Sequence, residues 1–441
     1  MIGCLLFQAT HRLRGSHALR LLDEIKHLPF AADTSAHQFR LLRNLLTHAE
    51  AKVPYYRDLF RRIGLRATDV NTVADLARIP ILTKDIIRAQ GDNMLREDIA
   101  KSTLQPHFSG GSTGVPLSFY RETGYMERSD AGTYRNLLQC GWKQGEMVAF
   151  FWGFNEKHAA MSGLEFEARQ RTRRFYQFDP FQSGPEDMDR WVKKWPSIKP
   201  SALLGYASTV ARFARHIEER NVRIPALKGV FTTAEKLYAP QRAQISRVFG
   251  CPVFDSYGSS EVQNIATECP SGKMHVNADF VLVEPHPDTA PGEVGPFILT
   301  SLWNYAMPFI RYRNEDAGAL STERCECGNR FPLMRLEISR VGDNFVFPGG
   351  KVVHGEYFTH MMYGSEGIDS FQFHQTSAET IVLWIVPGVG SEFARREAIR
   401  KAVEEVERLA PGVVRLEVKE TVQIPLSRAG KHRFTLSDIA L

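Results

Sequence analysis

At 441 residues the chain is too long for one core of ordinary size, so two or more domains are expected. With 43% hydrophobic and 24% charged residues it has the make-up of a soluble globular protein, and a net charge of +5 is too small to call for a nucleic-acid partner. No apolar run approaches the roughly 20 residues that span a bilayer, and "MIGCLLF" is shorter than a secretory leader's core and precedes no A-x-A site, so a cytoplasmic protein without a membrane partner is expected.

The N-terminal part reads as helical. Ala18–Leu28 and His37–Val53 carry apolar residues at three- and four-residue spacing, and Pro54 follows the second as a stop. Thr72–Gln90 repeats the pattern, with Pro80 breaking one helix and Thr83 capping the next.

From Thr103 the pattern changes. "HFSGGSTGVPLSFYR" (His107–Arg121) places Ser109, Gly110, Gly111, Ser112, Thr113 and Gly114 directly before a strand-like run. It is no Walker loop, because no Lys follows the last glycine. Its backbone N–H groups and hydroxyls suit phosphate oxygens; a plain surface hairpin has the same composition. Then "MVAFFWGF", "SALLGYAS", "KGVFTTAE" and "PVFDSYGSSE" alternate with helical segments, which is the signature of an α/β sheet with right-handed crossovers. Ligands in such sheets sit at the C-terminal strand ends. Phe150, Phe151, Trp152 and Phe154 around Gly153, and Tyr206 with Ala207, fall at two of these ends; they line a flat acyl pocket or are plain core. The basic stretch "EARQRTRRFYQF" (Glu167–Phe178) suits phosphate, or is a solvated helix face.

At another strand end Asp255, Ser256, Tyr257, Gly258 and Ser259 lead to Glu261. Glu261 suits Mg²⁺, a hard cation that takes oxygen ligands, and Tyr257 offers a flat face to a base. After Asp279 the pattern becomes antiparallel β. In "FIRYRNEDAG" the alternation around Tyr312 sets Arg311 and Arg313 on one strand face, and Asp316 closes the stretch where it can accept both hydroxyls of a ribose. The bland reading is a turn aspartate paired with an arginine. A boundary falls near Arg340–Asp343, dividing a domain of residues 1–340 from an α+β domain of 341–441. The latter reads as two strands, an amphipathic helix, a strand and a polar tail containing Lys431 after Gly430.

Six cysteines in this length do not suggest a disulfide scaffold. Cys269, His275, Cys325 and Cys327 form a complete set for a tetrahedral structural zinc, or are surface cysteines with a stray histidine.

Taken in order, the Gly/Ser/Thr loop, Tyr257-Gly258-x-x-Glu261, Tyr312-Arg313-x-x-Asp316, Arg340 and Gly430-Lys431 resemble the pattern of adenylate-forming enzymes. Within them the chain resembles the phenylacetate–coenzyme A ligase family, with "VPYYRDLF" (Val53–Phe60) and "DLARIPILTKDII" (Asp75–Ile87) similar to its N-terminal signature. The resemblance runs from about residue 40 to the end. It implies a large α/β domain with a helical N-terminal segment and a small α+β domain that rotates on a hinge near Arg340. It implies a carboxylic acid, aromatic in kind, joined to ATP as an acyl-adenylate and then passed to a thiol such as coenzyme A. An amine or hydroxyl acceptor is the alternative, and a non-catalytic zinc-containing binding protein a further one.

The implied roles are specific. Gly110–Gly114 hold the β- and γ-phosphates, Glu261 holds Mg²⁺, and Asp255, Ser256 and Tyr257 flank the adenine. Asp316 and Arg340 hold the ribose, and Lys431 bridges carboxylate and α-phosphate. Some members of the family carry zinc at positions like those of the cysteines. The chain departs from the family at Val115, at Asn314 and Glu315 between Arg313 and Asp316, and at Gly342 in the hinge. These departures point toward a branch found in polysaccharide and natural-product gene sets. A monomer or homodimer is expected.

Overall fold

The computed structural model describes residues 2–108, 117–153, 161–180, 183–290, 292–338, 345–348, 352–353, 355–362, 365–425 and 432–439. The loop Ser109–Gly114 with Val115, and Phe154, Arg340, Gly342, Gly430 and Lys431, lie outside them.

The N-terminal part is helical, as expected: α1 (Ile2–Leu13), α2 (Ala18–Ile25), α3 (Thr34–Lys52), α4 (Pro54–Ile63) and α5 (Lys84–Gln90). The Asp33 carboxylate accepts the Ala36 N–H at 2.8 Å and so starts α3, whose Leu41, Leu42, Leu45, Leu46 and Ala49 form one buried stripe. Pro54 both ends α3 and opens α4, where its missing N–H costs nothing. Val73–Arg78 is a short 3₁₀ helix rather than an α-helix. The reciprocal cap between Thr72 and Asp75 at one end and Pro80 just beyond the other leave too little chain for α-helical turns.

The large sheet has eleven strands among the described residues, ordered β10-β11-β12-β13-β9-β8-β7-β6-β5-β3-β4. These are β3 (Val148–Phe151), β4 (Phe175–Phe178), β5 (Ala202–Tyr206), β6 (Gly229–Thr233), β7 (Val253–Tyr257), β8 (Ala266–Glu268), β9 (Met274–Val276), β10 (Val281–Pro285), β11 (Gly295–Ser301), β12 (Tyr312–Ser321) and β13 (Leu333–Ile338). A hairpin of β1 (Gln105–Phe108) and β2 (Ser118–Arg121) flanks the glycine loop. β4, β3, β5, β6 and β7 pair in parallel. Their crossovers contain α7 (Gly163–Arg173), α8 (Pro185–Ile198), α9 (Ala207–Glu219) and α10 (Ala239–Phe249); α6 (Thr123–Leu138) precedes β3. Antiparallel pairing begins at β7–β8, earlier than the change at Asp279 expected from sequence. Gly205 sits opposite Phe151 in the β3–β5 register, and a Cβ there would lie 2.6 Å from that of Phe151, so only glycine fits without a shift.

In the C-terminal part β16 (Ile368–Ser377) and β17 (Thr380–Pro387) form an antiparallel hairpin. β18 (Arg415–Glu420) pairs parallel to β17, and β19 (Thr435–Ser437) parallel to β16. Two short strands, β14 (Phe345–Val346) and β15 (Val352–Val353), precede α11 (Gly355–Met362); α12 (Glu392–Leu409) buries Ala402 and Val406 against Phe345, Phe373 and Leu383. This is the α+β pattern read from the sequence. It meets the large sheet's helices: Arg215 of α9 donates to the carbonyls of Ile368 at 3.1 Å and Asp369 at 3.0 Å. Among the described residues no helix is long and apolar enough to cross a membrane.

Candidate active site

A cavity of about 570 Å³ opens at the C-terminal ends of β3, β5, β6 and β7. Phe150, Trp152, Tyr206 and Phe231 form one wall. The Phe150 and Trp152 rings stack 5.5 Å apart at 7°, and Trp152 lies 4.5 Å from Tyr206. Opposite them α6 presents Met126, Ser129, Asp130, Thr133 and Leu137, one face of a helix by their spacing. Asp130 lines the cavity with its side chain exposed there, and the protein packed around the site pushes its carboxyl pKa up to about 6, against the opposing charge of Arg173.

Strand alternation decides which predicted residues reach the cavity. Phe151 does not: it is fully buried, 4.9 Å from Trp191 and 5.3 Å from Phe213. Its neighbour Phe150 does. Ala207 is buried at the start of α9, and the Gly153 carbonyl accepts from Gln177 Nε2 at 2.9 Å. At the end of β7 and just past it, Ser256, Gly258 and Ser259 line the cavity. Asp255 and Tyr257 are instead engaged in networks within the protein. Thr232 Oγ1 donates to Asp255 Oδ1 at 2.9 Å, and the Asp255 N–H donates to Glu268, which Arg242 grips with two 2.7 Å bonds. Burial first, and the Glu268 charge second, push the Asp255 carboxyl up to about 7.

Tyr257 closes a triangle with the departure residue Asn314. The tyrosine hydroxyl donates to Asp316 Oδ2 at 2.7 Å, and Asn314 Nδ2 donates to that same oxygen at 2.9 Å and to the hydroxyl at 2.6 Å. Burial and the Asp316 charge hold the phenol well above its ordinary pKa. Asn314 thus acts as a spacer that fixes the carboxylate, which sequence reading did not foresee. Glu261 is 6% exposed and accepts the Tyr312 hydroxyl at 3.1 Å. Arg311 and Arg313 do not share a face: Arg311 has a left-handed φ of 54° just before β12, so the alternation starts after it. Arg311 is buried against Glu284 at 3.3 Å, whereas Arg313 is exposed.

Arg121 was missed by sequence reading. It is buried at the end of β2, lines the cavity and donates to the Ser260 carbonyl, next to Glu261. The signal was present: a lone arginine in a strand directly after the glycine loop. Near it, burial pushes the His107 pKa down to about 4.

The four zinc candidates do come together. The ligand atoms of Cys269, His275, Cys325 and Cys327 all lie within 4.8 Å of one another. Cys269 Sγ is 3.6 Å from Cys325 Sγ, and Cys327 Sγ is 3.4 Å from His275 Nε2. His275 Nδ1 donates to the Phe331 carbonyl at 2.9 Å, which leaves the Nε2 lone pair facing the sulfurs. Three thiols and an oriented imidazole fit a closed tetrahedral site and leave no ligand position open.

No family model matches the chain. It is 22% identical over 441 residues to Protein CapK of Staphylococcus aureus, covering 95% of this chain and 92% of that one. It is 27% identical over 300 residues to the phenylacetate-coenzyme A ligase of Pseudomonas putida, covering 64% of this chain and 65% of the ligase, so it spans just under two thirds of that relative. With the same enzyme of Thermus thermophilus it shares 26% over 326 residues, 70% of this chain and 71% of that one. The crystal structure of 2-hydroxyisobutyryl-CoA ligase in the postadenylation state, in complex with 2-HIB-AMP, superposes with a TM-score of 0.73 at 18% identity, over 92% of this chain and 90% of that one. The fold is therefore that of the adenylate-forming coenzyme A ligases, as the resemblance implied. In sequence the chain is similar to phenylacetate-coenzyme A ligases.

Proposed function

We propose that the protein is an ATP-dependent ligase that activates a carboxylic acid as its adenylate and passes the acyl group to coenzyme A. The observation that carries this reading is the cavity itself: an aromatic wall and a rim of Ser256, Gly258, Ser259 and Ser260 meet at the C-terminal strand ends, and the buried Glu261 follows that rim directly in the chain. In the first step the carboxylate oxygen attacks the α-phosphorus of ATP. The mixed anhydride forms, the α–β phosphoanhydride bond breaks, and pyrophosphate leaves with its electron pair. In the second step the sulfur of coenzyme A attacks the acyl carbon, its proton passes to solvent, and AMP leaves.

The residues fit the demands of those steps. Two anions must be brought together, so fixed positive groups and geometry dominate the barrier. Glu261, oriented by Tyr312, would hold Mg²⁺, which supplies charge neutralisation at the phosphates when bound. Asp316, fixed by Tyr257 and Asn314, would accept the ribose hydroxyls, a task that the family resemblance also gives to Arg340. Gly110–Gly114 would cradle the leaving pyrophosphate and Lys431 would reach the α-phosphate. Arg121, against Ser260, adds a positive charge near Glu261. The stacked Phe150–Trp152 pair supports an aromatic acid. The Cys/His cluster would hold a structural zinc, tying the β8–β9 turn to the chain after β12. The domains divide at 340/341.

The test is pyrophosphate release with Mg-ATP and a panel of aryl, fatty and amino acids, with hydroxylamine as surrogate acceptor. Each aryl acid is paired with its amino and hydroxy derivatives, because Asp130 faces the cavity. Pyrophosphate and AMP from one class support the reading, and coenzyme A against amines then identifies the acceptor. ADP as product, or no acid-dependent turnover, overturns it.

A further inference from the structure

Glu235 ends the "TTAE" stretch just past β6. Its Oε2 accepts the Ser208 N–H at 2.8 Å, in the first turn of α9. Its Oε1 accepts the His432 N–H at 2.8 Å, in the C-terminal tail. One carboxylate therefore joins two backbone segments, one in each part of the molecule. The α9 end holds the carboxylate in place, because first-turn N–H groups have no helical partner and carry the positive end of the helix dipole. On the other side His432 belongs to the small domain: its ring Nε2 bonds the Phe371 carbonyl at 2.9 Å, and the Phe373 N–H donates to the Phe434 carbonyl at 2.8 Å. The imidazole is buried, and that burial pushes its pKa down to about 4, so it stays neutral in this contact near pH 7.

His432 follows Lys431 directly in the chain. The point at which the tail is held is therefore one residue from the proposed catalytic lysine. We propose that Glu235 is a positioning residue: a catch that holds the tail, and with it Lys431, against the large domain for the adenylation step and releases it for the second. This rests on the ligase reading above. The contact suits a reversible catch. It pairs a side-chain acceptor on the large domain with a backbone donor on the tail. When the tail leaves, Oε2 remains held by Ser208, and the carboxylate stays poised to recapture it. The neighbouring contacts across the same seam, Arg215 on the Ile368 and Asp369 carbonyls and Tyr238 edge-on to Phe434 at 5.9 Å, would break in the same motion.

The experiment separates the half-reactions in full-length protein. For Glu235→Ala, acyl-adenylate formation, read as single-turnover pyrophosphate release, should fall about a hundredfold, the loss expected when a reacting group is misplaced by about an ångström. Thioester formation from chemically prepared acyl-adenylate and coenzyme A should stay within about twofold of wild type. Glu235→Gln keeps one carbonyl acceptor and should recover part of the first rate. Small-angle scattering of ligand-free protein should show a wider spread of domain arrangements in Glu235→Ala. A parallel fall in both half-reactions makes Glu235 merely structural and overturns the proposal, as does an unchanged adenylation rate. If wild type releases no pyrophosphate with any acid, the ligase reading fails instead. The scattering arm then judges the catch alone, and a profile identical to wild type refutes it.

Discussion

Replacing Asp255 by asparagine should make the protein more stable at pH 8 and remove part of its alkaline sensitivity. The Asp255 carboxyl is shifted from an ordinary 3.8 to about 7, by burial and then by Glu268. Between those two pH values the folded chain holds a proton that the unfolded chain has released. Stability from this group is therefore full below about pH 4 and falls as pH rises through the window to about 7. At about 1.4 kcal/mol per tenfold, the full shift corresponds to about 4 kcal/mol. Asp255 is only half-buried, so part of that is screened by solvent, which brings the figure to about 2 kcal/mol. Asparagine keeps an oxygen for the Thr232 hydroxyl and the Ser256 N–H, so both bonds to the side chain survive. Urea unfolding of both proteins at pH 5 and pH 8 reads the effect. The stability difference between variant and wild type should grow in the variant's favour by about 1–2 kcal/mol across that range, roughly the part of the window lying above pH 5. Parallel pH dependence in the two proteins would refute the reasoning, since it would mean that Asp255 is ionised in the fold at pH 5.

Other changes test the proposed chemistry directly. Lys431→Ala should lower acyl-adenylate formation by about a hundredfold or more while ATP binding, measured by calorimetry, is nearly unchanged; equal adenylation rates remove the lysine from the reaction. Tyr312→Phe deletes the 3.1 Å bond to Glu261 and should raise the Mg²⁺ concentration needed for half-maximal turnover several-fold, with Glu261→Gln larger in the same direction; a superposable Mg²⁺ titration counts against a metal role for Glu261. Metal analysis should find about one zinc per chain, and Cys325→Ser should lose it and melt several degrees lower; a metal-free protein of unaltered stability returns the cluster to four ordinary side chains.

Residue order alone made the class of fold legible. The alternating strands and helices, the hydroxyl-rich strand end before Glu261 and the small α+β domain were all read from local patterns, because periodicity and turn chemistry act over a few residues. The four zinc candidates were also visible as a set, since their chemistry is rare enough to be read without knowing distances. What could not be read was which face of a strand met the cavity. Phe150 and Phe151 are equivalent as text, yet one lines the cavity and the other packs among Trp191 and Phe213, because that choice depends on helices laid on the opposite side of the sheet. Arg311 and Arg313 failed in the same way, through one left-handed residue that no pattern announces.

By itself, then, the sequence determined the order of elements, the chemical inventory and the resemblance to adenylate-forming enzymes. The tertiary structure alone decided the pairings between distant segments: Asn314 with Tyr257 and Asp316, Arg121 with the Ser260 carbonyl, and Glu235 with the backbone of both Ser208 and His432. The physical reason is that a backbone N–H or carbonyl is the same group in every residue. A side chain that recognises one leaves no mark on the partner's sequence, and only the fold shows which of them it meets.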